Sequence, residues 1–563
     1  MQEYGFAFLE VKVDRKLDEM QEKIANHIQG AVLTLAGPGS GKTTVLIERT
    51  VRLAQKTGTP ERILCVTFTN AAGNEMRNRY IKAVGCCNAT GENIPVFKTV
   101  HSFCNEIIKE YENITHIKYT RLEGTSGGKE KLIVELYKDI NGSHPDNNVI
   151  EKICSINVNS TDLPEIKNVK KILEKYKSYK YKNRLIDFDD MIIFAKKILT
   201  STQKDMITVK EKYCHRFDYV QVDEAQDLTA EQFGIMEIVA ANGNIFVVAD
   251  DDQSIYGFRG AAPECLFKFQ KDFPDCKTYY LSRNYRSTKN IVDCSLKFIS
   301  QNTERFKKDL YSRNEKGPLP KVKILKNGIK QAEFILKETK KLIKQEPNIK
   351  IGILYRNNIS GLLPSAVFVS NGLDYKCNGE FYKTNEVDYL DEIISEMRTI
   401  ERSSVFVPFP SKILRKMKEN GLYEKIENHC RETGRNMYYK DVLGEFTEYL
   451  CSRTESVAHM ISVLDKIDNV SAKKYSDDCT AVEFSTVHSS KGLEYDAVFI
   501  IDVVKGEFPG RKANVGKALE EERRLFYVAM TRARKYLYVL CPQRTDGEST
   551  FVTELKKIAE QAD

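Results

Sequence analysis

Residues 36–43, Ala-Gly-Pro-Gly-Ser-Gly-Lys-Thr, constrain this chain more than any other segment. The apolar run Ala31 to Leu35 before them suits a buried strand, and Thr44 to Arg49 after them reads as a helix. Strand, glycine-rich loop and helix in that order are the context of a phosphate-binding P-loop. The glycines let the backbone wrap so that several amides point inward, and the helix N-terminus adds partial positive charge. Ala36, Gly37, Pro38, Gly39, Ser40, Gly41, Lys42, Thr43 and Thr44 are therefore candidate nucleotide-binding residues, with ATP as ligand. Lys42 has the reach to meet the terminal phosphates, and the Thr43 hydroxyl suits Mg2+. Ala36 stands where the general pattern has glycine.

A P-loop needs an acidic partner on a second strand. Phe217 to Val222 reads as that strand, with Asp223-Glu224-Ala225-Gln226-Asp227 at its end. Asp223 is placed to hold magnesium and Glu224 to activate the attacking water.

At 563 residues the chain has room for about four domains. Its 41% hydrophobic and 29% charged residues are ordinary for a globular protein. No apolar run reaches the roughly eighteen residues of a membrane helix, so no membrane association is expected. Met1 to Leu17 is mixed and charged, unlike a signal peptide. The 14 cysteines show no metal-site spacing, and adjacent Cys86 and Cys87 form no CxxC pair. Reduced thiols in a cytoplasmic protein are the expectation. The net charge of +7 permits a polyanionic partner without requiring one. Tryptophan is absent, so base stacking falls to the 28 tyrosines and 27 phenylalanines.

From Gln21 to Arg534 an ordered series of segments resembles the UvrD/Rep group of superfamily 1 helicases, more weakly at about 105–180 and 380–470. Leu17 to Gln21 resembles the glutamine motif, which implies that Gln21 reads adenine. Thr67-Phe68-Thr69-Asn70 and Thr99-Val100-His101-Ser102-Phe103 resemble DNA-contact motifs, implying Phe68, Asn70 and His101 as contacts. Ala71 replaces the usual lysine after Asn70. Leu185 to Met191 resembles the segment where the chain re-enters the first motor domain. Val248 to Gly260 resembles the coupling motif, in which Gln253 senses the γ-phosphate and Tyr256 and Phe258 stack on bases. Phe258 stands where tryptophan is frequent and offers less area. Asn284-Tyr285-Arg286-Ser287 implies Tyr285 on adenine and Arg286 on the γ-phosphate. Val487 to Asp496 implies His488 on DNA and Glu494 on the ribose. Glu521 to Ala533 implies Arg532 as a second arginine on the γ-phosphate.

The expected fold class is α/β, with two RecA-like P-loop NTPase motor domains, each carrying a mainly helical insertion. The first motor domain spans 1–104 and 185–280, with its insertion at 105–184. The second spans 281–378 and 470–563, with a short insertion at 379–469. Expected strands of the second are Ile351 to Tyr355, Ala497 to Val504 and Tyr536 to Leu540. The first insertion ends in a basic, aromatic stretch. Lys167, Lys170, Lys171, Lys175, Lys177, Lys180, Lys182 and Arg184 interleave there with Tyr176, Tyr179 and Tyr181. It reads equally as a DNA-tracking face and as a solvated helix.

Lys42, Glu224, Gln253, Arg286 and Arg532 are the expected catalytic set, with Thr43 and Asp223 on the metal. Arginines so distant from Lys42 in the chain imply that a second domain closes on ATP, which makes hydrolysis a motor stroke. The expected partners are single-stranded DNA and single/double-strand junctions, with a nuclease or repair or defence factor as a candidate protein partner. The resemblance implies 3′→5′ unwinding. Two other readings stand beside it: a translocase without efficient unwinding, and a nucleotide-gated subunit of a nuclease or defence complex.

Overall fold

The computed structural model describes residues 16–85, 93–122, 128–145, 147–156, 165–257, 260–378, 389–403, 409–433, 435–472, 481–513, 515–544 and 547–560. Phe258 and the Cys86–Cys87 pair lie outside the described residues. The chain forms two compact units, Met1–Ser282 with Phe306–Asp309, and Arg283–Arg305 with Leu310–Asp563.

In the first unit, strands β1 (Val32–Ala36), β2 (Ile63–Thr67), β3 (Val96–Thr99), β4 (Tyr219–Val222), β5 (Ile245–Ala249) and β6 (Lys277–Leu281) form one sheet. Its order is β3-β2-β4-β5-β1-β6, and every pairing is parallel. Side chains along a strand alternate between faces. Leu33, Leu35, Leu64, Val66, Val220, Val222 and Val247 accordingly enter one core. Val32, Ala36, Ile63, Cys65, Phe246 and Val248 enter the other. A sheet buried on both faces reads as near-continuous apolar runs, as the inner strands β1, β2 and β5 do.

The helix after the P-loop runs Lys42–Thr57, well past the expected Arg49, because Val51, Leu53 and Ala54 extend its buried face. It stops at Gly58, which takes the left-handed conformation (φ +69°). The strand expected from Phe217 begins at Tyr219, since Phe217 still caps helix Lys204–Arg216.

Helix Val100–Thr115 crosses the expected boundary at 105 without a break. Beyond it, helices Gly128–Asn141, Asn147–Ser155 and Val169–Lys182 share a small core around Leu132, Ile133, Ile153, Ile172 and Tyr176. A short parallel pairing of Thr120–Arg121 with Leu185–Ile186 closes this excursion. Two members of the basic, aromatic stretch do not belong to a DNA-tracking face. Tyr176 and Lys180 are buried and both bond Asp187 Oδ2, at 2.8 and 2.5 Å. Asp187 is the N-cap of helix Phe188–Thr200, so these side chains fasten the return of the chain. Lys170, Lys171, Lys175, Lys177, Lys182, Tyr179 and Tyr181 remain exposed.

In the second unit, β7 (Lys321–Leu325), β8 (Ile351–Tyr355), β9 (Lys376–Asn378), β10 (Val482–Thr486), β11 (Tyr495–Ile500) and β12 (Ala533–Pro542) form another parallel sheet. Its order is β7-β12-β11-β8-β10-β9. The strand expected to reach Val504 ends at Ile500. Asp502 adopts a positive φ of 53° that no strand accommodates, held there by Gln331 and Tyr438. Helices Tyr389–Arg402, Pro410–Glu419, Leu422–Thr433, Met437–Arg453 and Val457–Ala472 make up most of the described part of the region expected to be helical. Arg544 pairs with Glu445 at 2.7 Å, and Ser360 bonds Tyr438 at 2.8 Å, so helix Met437–Arg453 is tied to the sheet layer.

Candidate nucleotide and nucleic-acid site

The P-loop leaves β1 between β5 and β6, and Asp223 and Asp250 follow β4 and β5. In open parallel sheets ligands bind outside the carboxyl ends of the strands, and these residues share that edge. Gly37 N donates to Leu281 O at 3.1 Å, fixing the loop to the end of β6. Ser40 Oγ donates to Gly37 O at 2.7 Å, which tightens the loop on itself. Gly41, at φ +83°, is the N-cap of helix Lys42–Thr57 and supplies no side chain to its amides. Those amides are therefore available to phosphate oxygens.

Lys42 Nζ lies 3.7 Å from Asp250 Oδ2. The same oxygen accepts from Gln253 Nε2 at 2.7 Å, which ties the expected phosphate sensor to the P-loop lysine's partner. Thr43 Oγ1 is 3.5 Å from Asp223 Oδ2. Burial and the neighbouring Glu224 push the Asp223 carboxyl up to about 7, against the pull of Lys42. A buried carboxylate beside a hydroxyl is a hard-oxygen donor set, so these two residues fit magnesium.

Glu224 sits at φ +52°, a strained conformation for a residue with a side chain. Its amide donates to Asp223 Oδ1 at 3.0 Å, and its carboxylate accepts from Gln226 Nε2 at 2.5 Å. Gln226 Oε1 in turn accepts from Asp250 N at 2.9 Å. Gln226 thus orients the expected base and braces the coupling strand. Gln226 lies in the acidic segment after β4, where the sequence alone signals no role for it. Gln21 Nε2 donates to Ser40 O at 3.0 Å, and its Oε1 accepts from Asp18 N at 3.1 Å. The expected adenine reader is thereby pinned to the P-loop.

Three of the expected DNA contacts of this unit, Phe68, Tyr256 and His101, sit in two aromatic pairs. Phe68, just beyond β2, stacks on Tyr256 with ring centroids 5.1 Å apart and planes at 19°. His101 meets Phe188 edge-on at 5.1 Å. Phe188 is 49% exposed and belongs to the segment Leu185 to Met191, of which no DNA contact was expected. Its nearness to His101 spans 87 positions of sequence, which no local pattern reveals. Burial pushes the His101 pKa below its ordinary value, and Asp189 only partly opposes this. Asn70 is exposed in the first turn of helix Asn70–Val84.

In the second unit, Glu494 and Arg532 precede the amino ends of the paired strands β11 and β12. Arg286 bonds both the Glu494 carboxylate and Thr531 O, the latter at 3.1 Å. Arg534 Nη2 donates to Glu494 Oε2 at 2.7 Å. Burial alone would raise the Glu494 pKa, but the two arginines outweigh it and hold the carboxyl below its usual range. Arg532 is buried, and its guanidinium donates to Val528 O at 3.1 Å and Leu493 O at 3.3 Å. Tyr285 is 40% exposed, with the Arg283 guanidinium 4.5 Å from its ring centre. His488 follows the carboxyl end of β10, so the segment from 487 to 494 runs from one edge of the sheet to the other.

Residues 17–274 match the model of the UvrD/REP helicase N-terminal domain. Residues 279–420 and 412–544 match that of the UvrD-like helicase C-terminal domain. The chain is 27% identical to the ATP-dependent DNA helicase PcrA of Staphylococcus aureus, covering 92% of this chain and 82% of that protein. It is 28% identical to the ATP-dependent DNA helicase Rep of Buchnera aphidicola subsp. Acyrthosiphon pisum, covering 94% and 95%.

Proposed function

The chain belongs to the UvrD/Rep family of helicases, and from that premise we propose an ATP-dependent DNA helicase that moves 3′→5′ along single-stranded DNA and parts duplex at single/double-strand junctions. The observation that carries this reading is the constellation at the carboxyl edge of the first sheet. Lys42, Thr43, Asp223, Glu224 and Gln253 come from three strand ends and interlock there. The motor domains in this reading are 1–104 with 185–280 and 281–378 with 470–563. The segments 105–184 and 379–469 are their insertions, and the protein works in the cytoplasm.

ATP is the fuel. The P-loop amides and Lys42 bind its phosphates, with Gln21 and Tyr285 on the adenine and Glu494 on the ribose. Glu224 accepts a proton from water as the water oxygen bonds to the γ-phosphorus. The bond from that phosphorus to the β–γ bridging oxygen breaks, and ADP and phosphate leave. Thr43 and Asp223 would hold Mg2+, which when bound neutralises charge on the phosphates. Arg286 and Arg532 are the proposed arginines for charge developing on the γ-phosphate. Phe68, Asn70, His101, Tyr256, Phe258 and His488 are the proposed DNA contacts, and Tyr256 lies three residues after Gln253.

Directional motion is tested by streptavidin displacement from single strands biotinylated at either end. The reading requires ATP-dependent displacement from the 5′ end and little from the 3′ end. Equal displacement from both ends, or none, removes the motor assignment.

A further inference from the structure

Lys308 lies in Phe306-Lys307-Lys308-Asp309, the four residues by which the chain returns to the first unit. Its side chain is 1% exposed, and its ammonium contacts three carboxylates. The distances are 2.6 Å to Asp250 Oδ1, 2.7 Å to Asp251 Oδ1 and 2.9 Å to Asp252 Oδ2. Oxygens of these three aspartates lie within 4.8 Å of one another, a spacing suited to a cation, and the cation among them is this ammonium. The backbone secures its delivery. Phe306 N donates to Asp251 Oδ2 at 2.8 Å, and the Phe306 ring stacks on Phe267 at 4.1 Å and 12°.

Asp250 is shared between two lysines. Its Oδ1 holds Lys308, while its Oδ2 accepts from Gln253 and faces Lys42 at the longer distance of 3.7 Å. Three carboxylates and two ammoniums leave one negative charge in excess. Without Lys308 the excess is two, in a buried setting where charges interact strongly. Lys42 then becomes the ammonium drawn into the aspartates and away from the P-loop.

We infer that Lys308 is a positioning residue for ATP binding: by occupying Asp250 and its two neighbours it keeps Lys42 loosely held and free to move to the phosphates. This rests on the reading of residues 36–43 as the ATP site. Lys308 itself touches no substrate in this account. Its effect passes through Asp250, which follows β5 and caps the turn Asp251–Gln253 that carries Gln253.

The test is titration of the full chain with a fluorescent N-methylanthraniloyl ATP in the presence of magnesium, beside thermal melting. Lys308→Met should weaken binding about tenfold, within the usual size of a coupling between sites. Asp252→Asn removes one negative charge and leaves Lys308 in place, so it should tighten binding about threefold. A packing role alone would weaken both variants or neither, so opposite signs are the signature of charge control. Unchanged affinity in a folded Lys308→Met variant overturns the inference. If Lys308→Met does not fold, Asp252→Asn decides alone: tighter binding supports the inference, and equal or weaker binding overturns it. Absence of binding by the unaltered chain would instead remove the ATP-site reading beneath it.

Discussion

Gly41 has two reasons to be glycine. Its φ of +83° costs a residue with a side chain about 1–2 kcal/mol. A Cβ there would also stand 2.7 Å from Gln21 Nε2, which is bonded to Ser40 O. Gly41→Ala should therefore lower the melting temperature and weaken ATP together. A variant that melts and binds normally would show that the loop tolerates a different path. His101 gives a prediction in charge. Burial lowers its pKa, so it is neutral at pH 7.5. Its contribution to stability is fully present above the ordinary value of 6.5 and falls as pH drops below it, where the unfolded chain takes up the proton more readily. At pH 7.5 His101→Gln should weaken single-stranded DNA binding without changing the salt slope. Removing a cation from a phosphate would instead cost about 0.7 in that slope. A slope reduced by that amount would show His101 bound to DNA as a cation.

Among elements, the return strap of the first insertion is the most exposed to single changes. Lys180 reaches from helix Val169–Lys182 to Asp187 and Asp190 at the start of helix Phe188–Thr200. Removing one partner of a buried pair typically costs about 3–5 kcal/mol. Lys180→Met should therefore lower stability by that order in a denaturant titration and leave the salt slope of DNA binding unchanged. Lys171→Ala, on the exposed face, should leave stability unchanged, and the reverse pattern would restore Lys180 to the DNA-tracking face. In sequence the two lysines look alike, because each lies in the same basic, helical run. Burial depends on Asp187 and Asp190 meeting Lys180 across a turn, and helical periodicity does not report that. The P-loop was legible because its chemistry is local: glycines, lysine and threonine in eight consecutive positions between a strand and a helix. Strand ends were less so. The strand expected to reach Val504 stops at Ile500 because Gln331, far back in the chain, holds Asp502.

At the scale of the molecule, two parallel α/β sheets follow from apolar runs alternating with amphipathic helices. The return of Phe306–Asp309 to the first unit was not legible, since Lys308 sits in a basic stretch like many others. On the proposed domain division the second insertion, about 379–469, is short by motif spacing and would offer little surface for duplex. Opening base pairs costs about 1.4 kcal/mol per step. The isolated protein should therefore travel well on single strands and unwind poorly, improving with a longer 3′ loading strand. Fast single-turnover unwinding of long duplex by a lone monomer would contradict that expectation. The central claim is that ATP hydrolysis at Lys42 and Glu224 drives motion on DNA. It is tested most directly by the steady-state ATPase rate with and without single-stranded DNA, in the unaltered chain and in Glu224→Gln. DNA should stimulate the first strongly, and the second should show almost no turnover with ATP still bound. A rate indifferent to DNA, or normal turnover in Glu224→Gln, would contradict it.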